Sequence, residues 1–173
     1  MNPHTPTAID SIRRLHAHRR WVNERLRDAA RGLDAGARSR EFDIGQRSLL
    51  ATLTHLYVAE RVWLEAIEGG EPPPPSAFAF DALDRLETAW DELEARWASR
   101  LDRLEGDDLD RIVVKRSTHS DRVQQTTLHD VLLHVCTHAQ YTAAQAANIL
   151  RRLGKTPPDT MLITMSRVEH DRD

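Results

Sequence analysis

"TLHDVLLHVCTHAQYTAAQAANILRRLG", Thr127 to Gly154, is the stretch on which the fold turns. Thr127, or Thr126 beside it, can accept a hydrogen bond from the first free N–H groups of a helix. The run then continues without a breaker to Leu153, and Gly154 stands where a left-handed residue commonly closes a helix. A helix of this length needs partners to cover its apolar stripe. It also carries His134 and His138 four residues apart within an apolar segment.

Working outward, "RSLLATLTHLYVAERVWLEAI" (Arg47–Ile67) has the same character, with Ser48 as its N-cap. Gly69-Gly70 and the prolines at 72 to 75 stop it. From Thr7 to about Leu33, Ile9, Ile12, Leu15, Trp21, Val22, Leu26 and Ala29 form one stripe, and Gly32 lies near the end. From Asp81 to Leu104, Leu83, Leu86, Trp90, Leu93, Trp97 and Leu101 form another. Between this third helix and the fourth, which starts at Thr127, "RIVVKRSTHSDRVQQTT" (111–127) is rich in β-branched residues and has turn chemistry at Ser120-Asp121, which predicts a short hairpin. Four long helices on short connectors imply an all-α fold, a four-helix bundle in one domain over residues 1–173. The proline run is a stiff loop and not a domain linker, because the helices flanking it need each other's apolar faces.

Composition removes several function classes. Lys+Arg number 24 against 27 Asp+Glu, a net charge of −3, so there is no basic footprint for nucleic acid. No apolar run approaches the length of a membrane span, and the N-terminus lacks the apolar centre of a signal peptide. A single cysteine, Cys136, excludes an intramolecular disulfide and suits a reducing compartment. The expectation is a cytoplasmic protein that binds neither nucleic acid nor membrane.

Histidines at i and i+4 project from one helix face and can converge on one ion, each at roughly 2.0–2.1 Å, if other helices add ligands. With 9 histidines in 173 residues, spacing alone is weak, since chance supplies such a pair readily. His55 adds weight. It lies in the other strongly apolar helix, among Leu49, Leu53, Leu56 and Val62, and bundles build metal sites from facing helices. The remaining candidates have plainer readings. His129 belongs to the helix start as a surface or capping residue. His16 and His18 are two apart, so at most one enters the core, while His4, His119 and His170 fall in loop or terminal segments. Glu60 is a surface charge or an acceptor behind a ligand N–H. Cys136 faces away from both histidines as a buried thiol, and Trp21, Trp63, Trp90 and Trp97 are core. Gly-rich phosphate loops, GxSxG and CxxC are missing.

Taken together, "WVNERL" (21–26), "SLLATLTHLYVAERVWL" (48–64), "VVKRSTHSDRVQQTTLHDVLLHV" (113–135) and "AAQAANILRRLGKTPPDTMLI" (143–163) resemble the DinB/YfiT family of bacterial four-helix bundles, in the family's order and spacing. The resemblance implies a divalent metal, zinc or nickel, held by three histidines, one on the second helix and two on the fourth. Carried over, these are His55, His134 and His138. The family's last helix has histidines at three successive i+4 steps. Here Thr142 occupies the third step, and Gln145 keeps the family's glutamine. A threonine hydroxyl is a poor replacement for imidazole. The resemblance therefore leaves two outcomes: a metal-dependent S-transferase or hydrolase acting with a low-molecular-weight thiol such as bacillithiol or mycothiol, or another small molecule; or a non-catalytic, stress-associated binding bundle whose metal site is degenerate or vacant. It also implies a homodimer. Thr142 and Tyr141 are weaker candidates for substrate contact.

Overall fold

The computed structural model describes residues 5–71, 73–116 and 123–170. Four long helices carry it. α1 (Ala8–Arg31) begins with a reciprocal cap: the Thr7 side chain accepts from the Asp10 N–H, and the Asp10 carboxylate accepts from the Thr7 N–H at 2.9 Å. A short helix, α2 (Ala35–Ser39), follows with Asp34 as its N-cap. α3 (Leu49–Glu68) is capped by the Ser48 hydroxyl, which accepts from the Ala51 N–H at 3.2 Å. It ends at Gly69, whose φ of 76° is the left-handed cap that a side chain would oppose. A 3-10 turn (Pro75–Phe78) leads to α4 (Leu83–Asp102).

Strands β1 (Ile112–Arg116) and β2 (Val123–Thr127) pair antiparallel, with Ile112 opposite Thr127 and Arg116 opposite Val123. The expected hairpin is present. Its turn at Ser120-Asp121 lies outside the described residues. Thr127 ends β2 and at once caps α5 (Leu128–Arg152), accepting from the Asp130 N–H at 3.1 Å. A final helix, α6 (Leu162–His170), was not expected from the sequence. His170 is exposed as expected, but it ends this helix and does not sit in a loose tail. Both α2 and α6 are too short to hold as helices alone, so packing on the bundle sustains them.

α5 lies against α1 and α3, and α4 lies along the other side of the same two helices, so α4 and α5 are diagonal across the core. Leu26, Leu53, Leu56, Leu86, Trp90, Trp97 and Leu128 are fully buried there. Trp90 and Trp97 are core as the helical spacing suggests, whereas Trp21 and Trp63 are only half-buried. Among the described residues no helix is long and apolar enough to cross a membrane.

The expectation that at most one of His16 and His18 enters the interior fails. His16 is buried against Trp97, with ring centroids 5.0 Å apart, and its Nε2–H donates to the Leu132 carbonyl at 3.1 Å. His18 is buried on another side of α1, where it donates to the Thr160 carbonyl at 2.9 Å. The segment leading into α6 covers that second face, so α1 has cover on two sides.

Candidate metal centre

On α3, His55, Val58, Ala59 and Val62 follow the i, i+3, i+4, i+7 rule and form one strip. That strip faces His134 and His138, which share a face of α5 one turn apart. Together they line one cavity of about 480 Å³. Trp63, Phe78 and Pro73 add apolar wall, and Lys115 reaches in from β1. Thus all three proposed ligands open on the same space. Thr142 and Tyr141 do not line it: Thr142 is buried and Tyr141 is exposed.

Two of the three imidazoles meet. His55 Nε2 and His138 Nε2 are 3.2 Å apart. Two nitrogens each about 2.1 Å from a shared ion at a tetrahedral angle lie about 3.4 Å apart, so this pair has the spacing of adjacent ligands. His134 stands further out. Its ring centroid is 5.9 Å from that of His138, and it meets Trp63 edge-on at 5.2 Å. Among the described residues no three His, Cys, Asp or Glu groups form a ready ligand set. The donor set suits a borderline divalent ion in type, with two nitrogens placed and a third on the rim.

Burial lowers the pKa of His55. Burial, then the neighbouring His55 and His134, push His138 down to about 4. Both rings are therefore neutral near pH 7, with lone pairs free for a metal or for the Nε2–Nε2 contact.

The other candidates separate clearly. His129 is half-exposed beside Asp130 and away from the cavity, in line with the surface reading. Cys136 is buried, and desolvation raises its thiol to about 12, which makes it an inert core group. His4 and His119 lie outside the described residues. Gln145 packs on the loop before α3: a Cβ added at Gly45, where φ is +49°, would stand 1.9 Å from the Gln145 Oε1.

Glu60 overturns both of its expected readings. It is neither a surface charge nor a partner of His55, but the buried acceptor of a polar cluster with Arg19 and Asn23. Arg19 donates to it and also grips Glu94 with two bonds of 2.8 and 2.7 Å. Asn23 donates to Glu60 at 2.8 Å, and the Trp90 indole N–H at 3.4 Å. Burial, and then the nearby Glu94, push the Glu60 carboxyl above its ordinary range against the pull of Arg19. Lys115 is the cavity residue that the sequence reading missed. Nothing local in "VVKRS" marks it, because its position depends on the hairpin folding back over α3.

A family model described as the DinB family matches residues 3–172 of this bundle. The chain belongs to the DinB family. No curated protein matches it. Membership in the family agrees with the helical bundle and hairpin of this DinB-family protein.

Proposed function

We propose that His55, His134 and His138 hold a divalent ion, zinc or nickel, and that the protein is a metal-dependent transferase or hydrolase acting on a small molecule. The observation that carries this is the pair of Nε2 atoms 3.2 Å apart on residues that line a largely apolar cavity. His134, one turn before His138 and lining the same cavity, supplies the third nitrogen. When bound, such an ion lowers the pKa of a coordinated water or thiol and so supplies a nucleophile near neutral pH. The chain's own groups do the remaining work. Trp63, Phe78 and Val62 exclude water and hold apolar parts of a substrate, while burial keeps His55 and His138 neutral and able to ligate. A low-molecular-weight thiol as co-substrate fits the family resemblance and the open cavity at the histidines.

A second reading, a binding bundle without catalysis, is favoured by one observation: the exposed His134 ring lies nearer to Trp63, at 5.2 Å between centroids, than to His138, at 5.9 Å. Metal analysis decides between them. Protein purified without a metal-affinity tag should carry close to one equivalent of divalent metal, and His55→Ala should lose it. Metal-free wild type that takes up no zinc or nickel sinks the first reading. We further propose a cytoplasmic homodimer paired through bundle faces, with exposed Tyr141, Met161 and Ile163 in the contact. A monomer by light scattering at micromolar concentration refutes it.

A further inference from the structure

The cavity at the histidine pair is lopsided in charge. Its walls are largely apolar and aromatic, and among the described residues no carboxylate lines it. Among the described residues that line it, the one Lys, Arg, Asp or Glu is Lys115, whose Nζ stands 4.4 Å from the centre of the Trp63 ring. Among the described residues no carboxylate pairs with Lys115. A half-buried ammonium is costly to desolvate, and the face of a tryptophan recovers only part of that cost. Arg111 and Arg116, its neighbours on the hairpin, are turned elsewhere: Arg111 donates to the Ile67 carbonyl at 3.0 Å, and Arg116 stands 4.0 Å from Glu71. Among the described cations of the hairpin, Lys115 alone lines the cavity.

We infer that the substrate of this site is a small anion with an apolar body, a monocarboxylate whose charged end is received by Lys115 while its body lies along Trp63, Phe78 and Val62 towards the histidines. The inference rests on reading this cavity as the substrate site. An ammonium, a set of imidazoles and apolar wall in one cavity define which end of the molecule each group receives. A neutral molecule of the same shape leaves the Lys115 charge without a counter-charge, and a dianion brings a second charge against apolar wall. The site is therefore selective for one charge at one end.

Calorimetric titration with 4-phenylbutyrate and its neutral match 4-phenylbutanamide tests this, using metal-free and zinc-loaded protein at pH 7.5. In metal-free wild type the carboxylate should bind about five-fold or more tightly than the amide, the scale of one partly exposed charge-assisted hydrogen bond. Lys115→Arg should keep the preference and Lys115→Met should abolish it, with amide affinity unchanged. Equal affinities in wild type, no saturable binding of either probe, a preference seen only with zinc present, or one that survives Lys115→Met would each overturn the inference. Zinc uptake is read separately. Its failure with the carboxylate preference intact removes the metal reading alone, and normal uptake without the preference removes this inference alone.

Discussion

His55 Nε2 and His138 Nε2 touch at 3.2 Å across the seam of α3 and α5, although 83 residues separate them in the chain. Two neutral imidazoles in contact can share one hydrogen bond, with one ring donating and the other accepting. A divalent ion replaces that single bond with two coordinate bonds. Zinc should therefore stabilise the fold, by about 2.7 kcal/mol at 100-fold excess over Kd. Alanine at His55, His134 or His138 should each remove most of the rise in melting temperature, and His129→Ala should leave it intact. Absence of any shift with zinc, nickel or manganese at neutral pH would defeat the proposal.

The third ligand can be assigned by substitution at Thr142. Thr142 is buried and stands outside the cavity that His134 lines. Thr142→His should thus crowd the core, cost about 1–3 kcal/mol, and leave zinc affinity no better. An affinity gain of about ten-fold or more, equal to 1.4 kcal/mol, would move the third ligand down one turn to that position.

Acid should act on the fold through His16. Burial, then the Arg19 charge, hold its pKa at about 3, below the ~6.5 of an unfolded chain. Between those values the unfolded state binds the extra proton. The contribution is fully present above about pH 6.5 and shrinks as pH falls, by up to ~1.4 kcal/mol per pH unit. Urea midpoints measured from pH 7 to pH 4 should decline less steeply in His16→Gln. Parallel declines would show that other groups dominate acid lability.

Removing Arg19 should be worse than removing its partner. Arg19→Met leaves Glu60 buried without its cation, at a cost of about 3–5 kcal/mol. Glu60→Gln leaves Arg19 still gripped by Glu94 and should cost clearly less. Adding Glu60→Gln to Arg19→Met should recover part of the loss. Additive losses in the double variant, by chemical denaturation, would show that the two side chains are not coupled.

Cys136 should be silent in the native state. With its thiol held at about 12 and its surface buried, alkylation should proceed only on unfolding. Cys136→Ala should cost roughly 1 kcal/mol and leave metal content unchanged. Rapid labelling of folded protein, or loss of metal with the substitution, would contradict the buried placement.

What the sequence discloses here follows the range of the forces involved. Ser48, Thr127, Gly69 and Gly154 are legible because a cap is satisfied by atoms within a few residues; that His55, His134 and His138 line one cavity is implied by the family resemblance, since the spacing of His134 and His138 alone says little. Glu60 is misread because its cation, Arg19, lies 41 residues away on another helix. His18 is misread because the carbonyl that receives it is 142 residues distant. Lys115 depends on a hairpin closing over α3. α2 and α6 lack a long apolar period, since docking holds them more than propensity does.

His55 and Glu60 point to nearly opposite sides of α3, one into the cavity and the other into the Arg19 cluster. The latter works as a mechanical datum: with Glu60 clamped between α1 and α4, α3 cannot slide along α5, and the height at which residue 55 meets residue 138 is set from behind. Residues on the 55–62 strip can then change, in evolution or by redesign, without the helix losing its register. A different set of donors on that strip would inherit an alignment it had no part in creating.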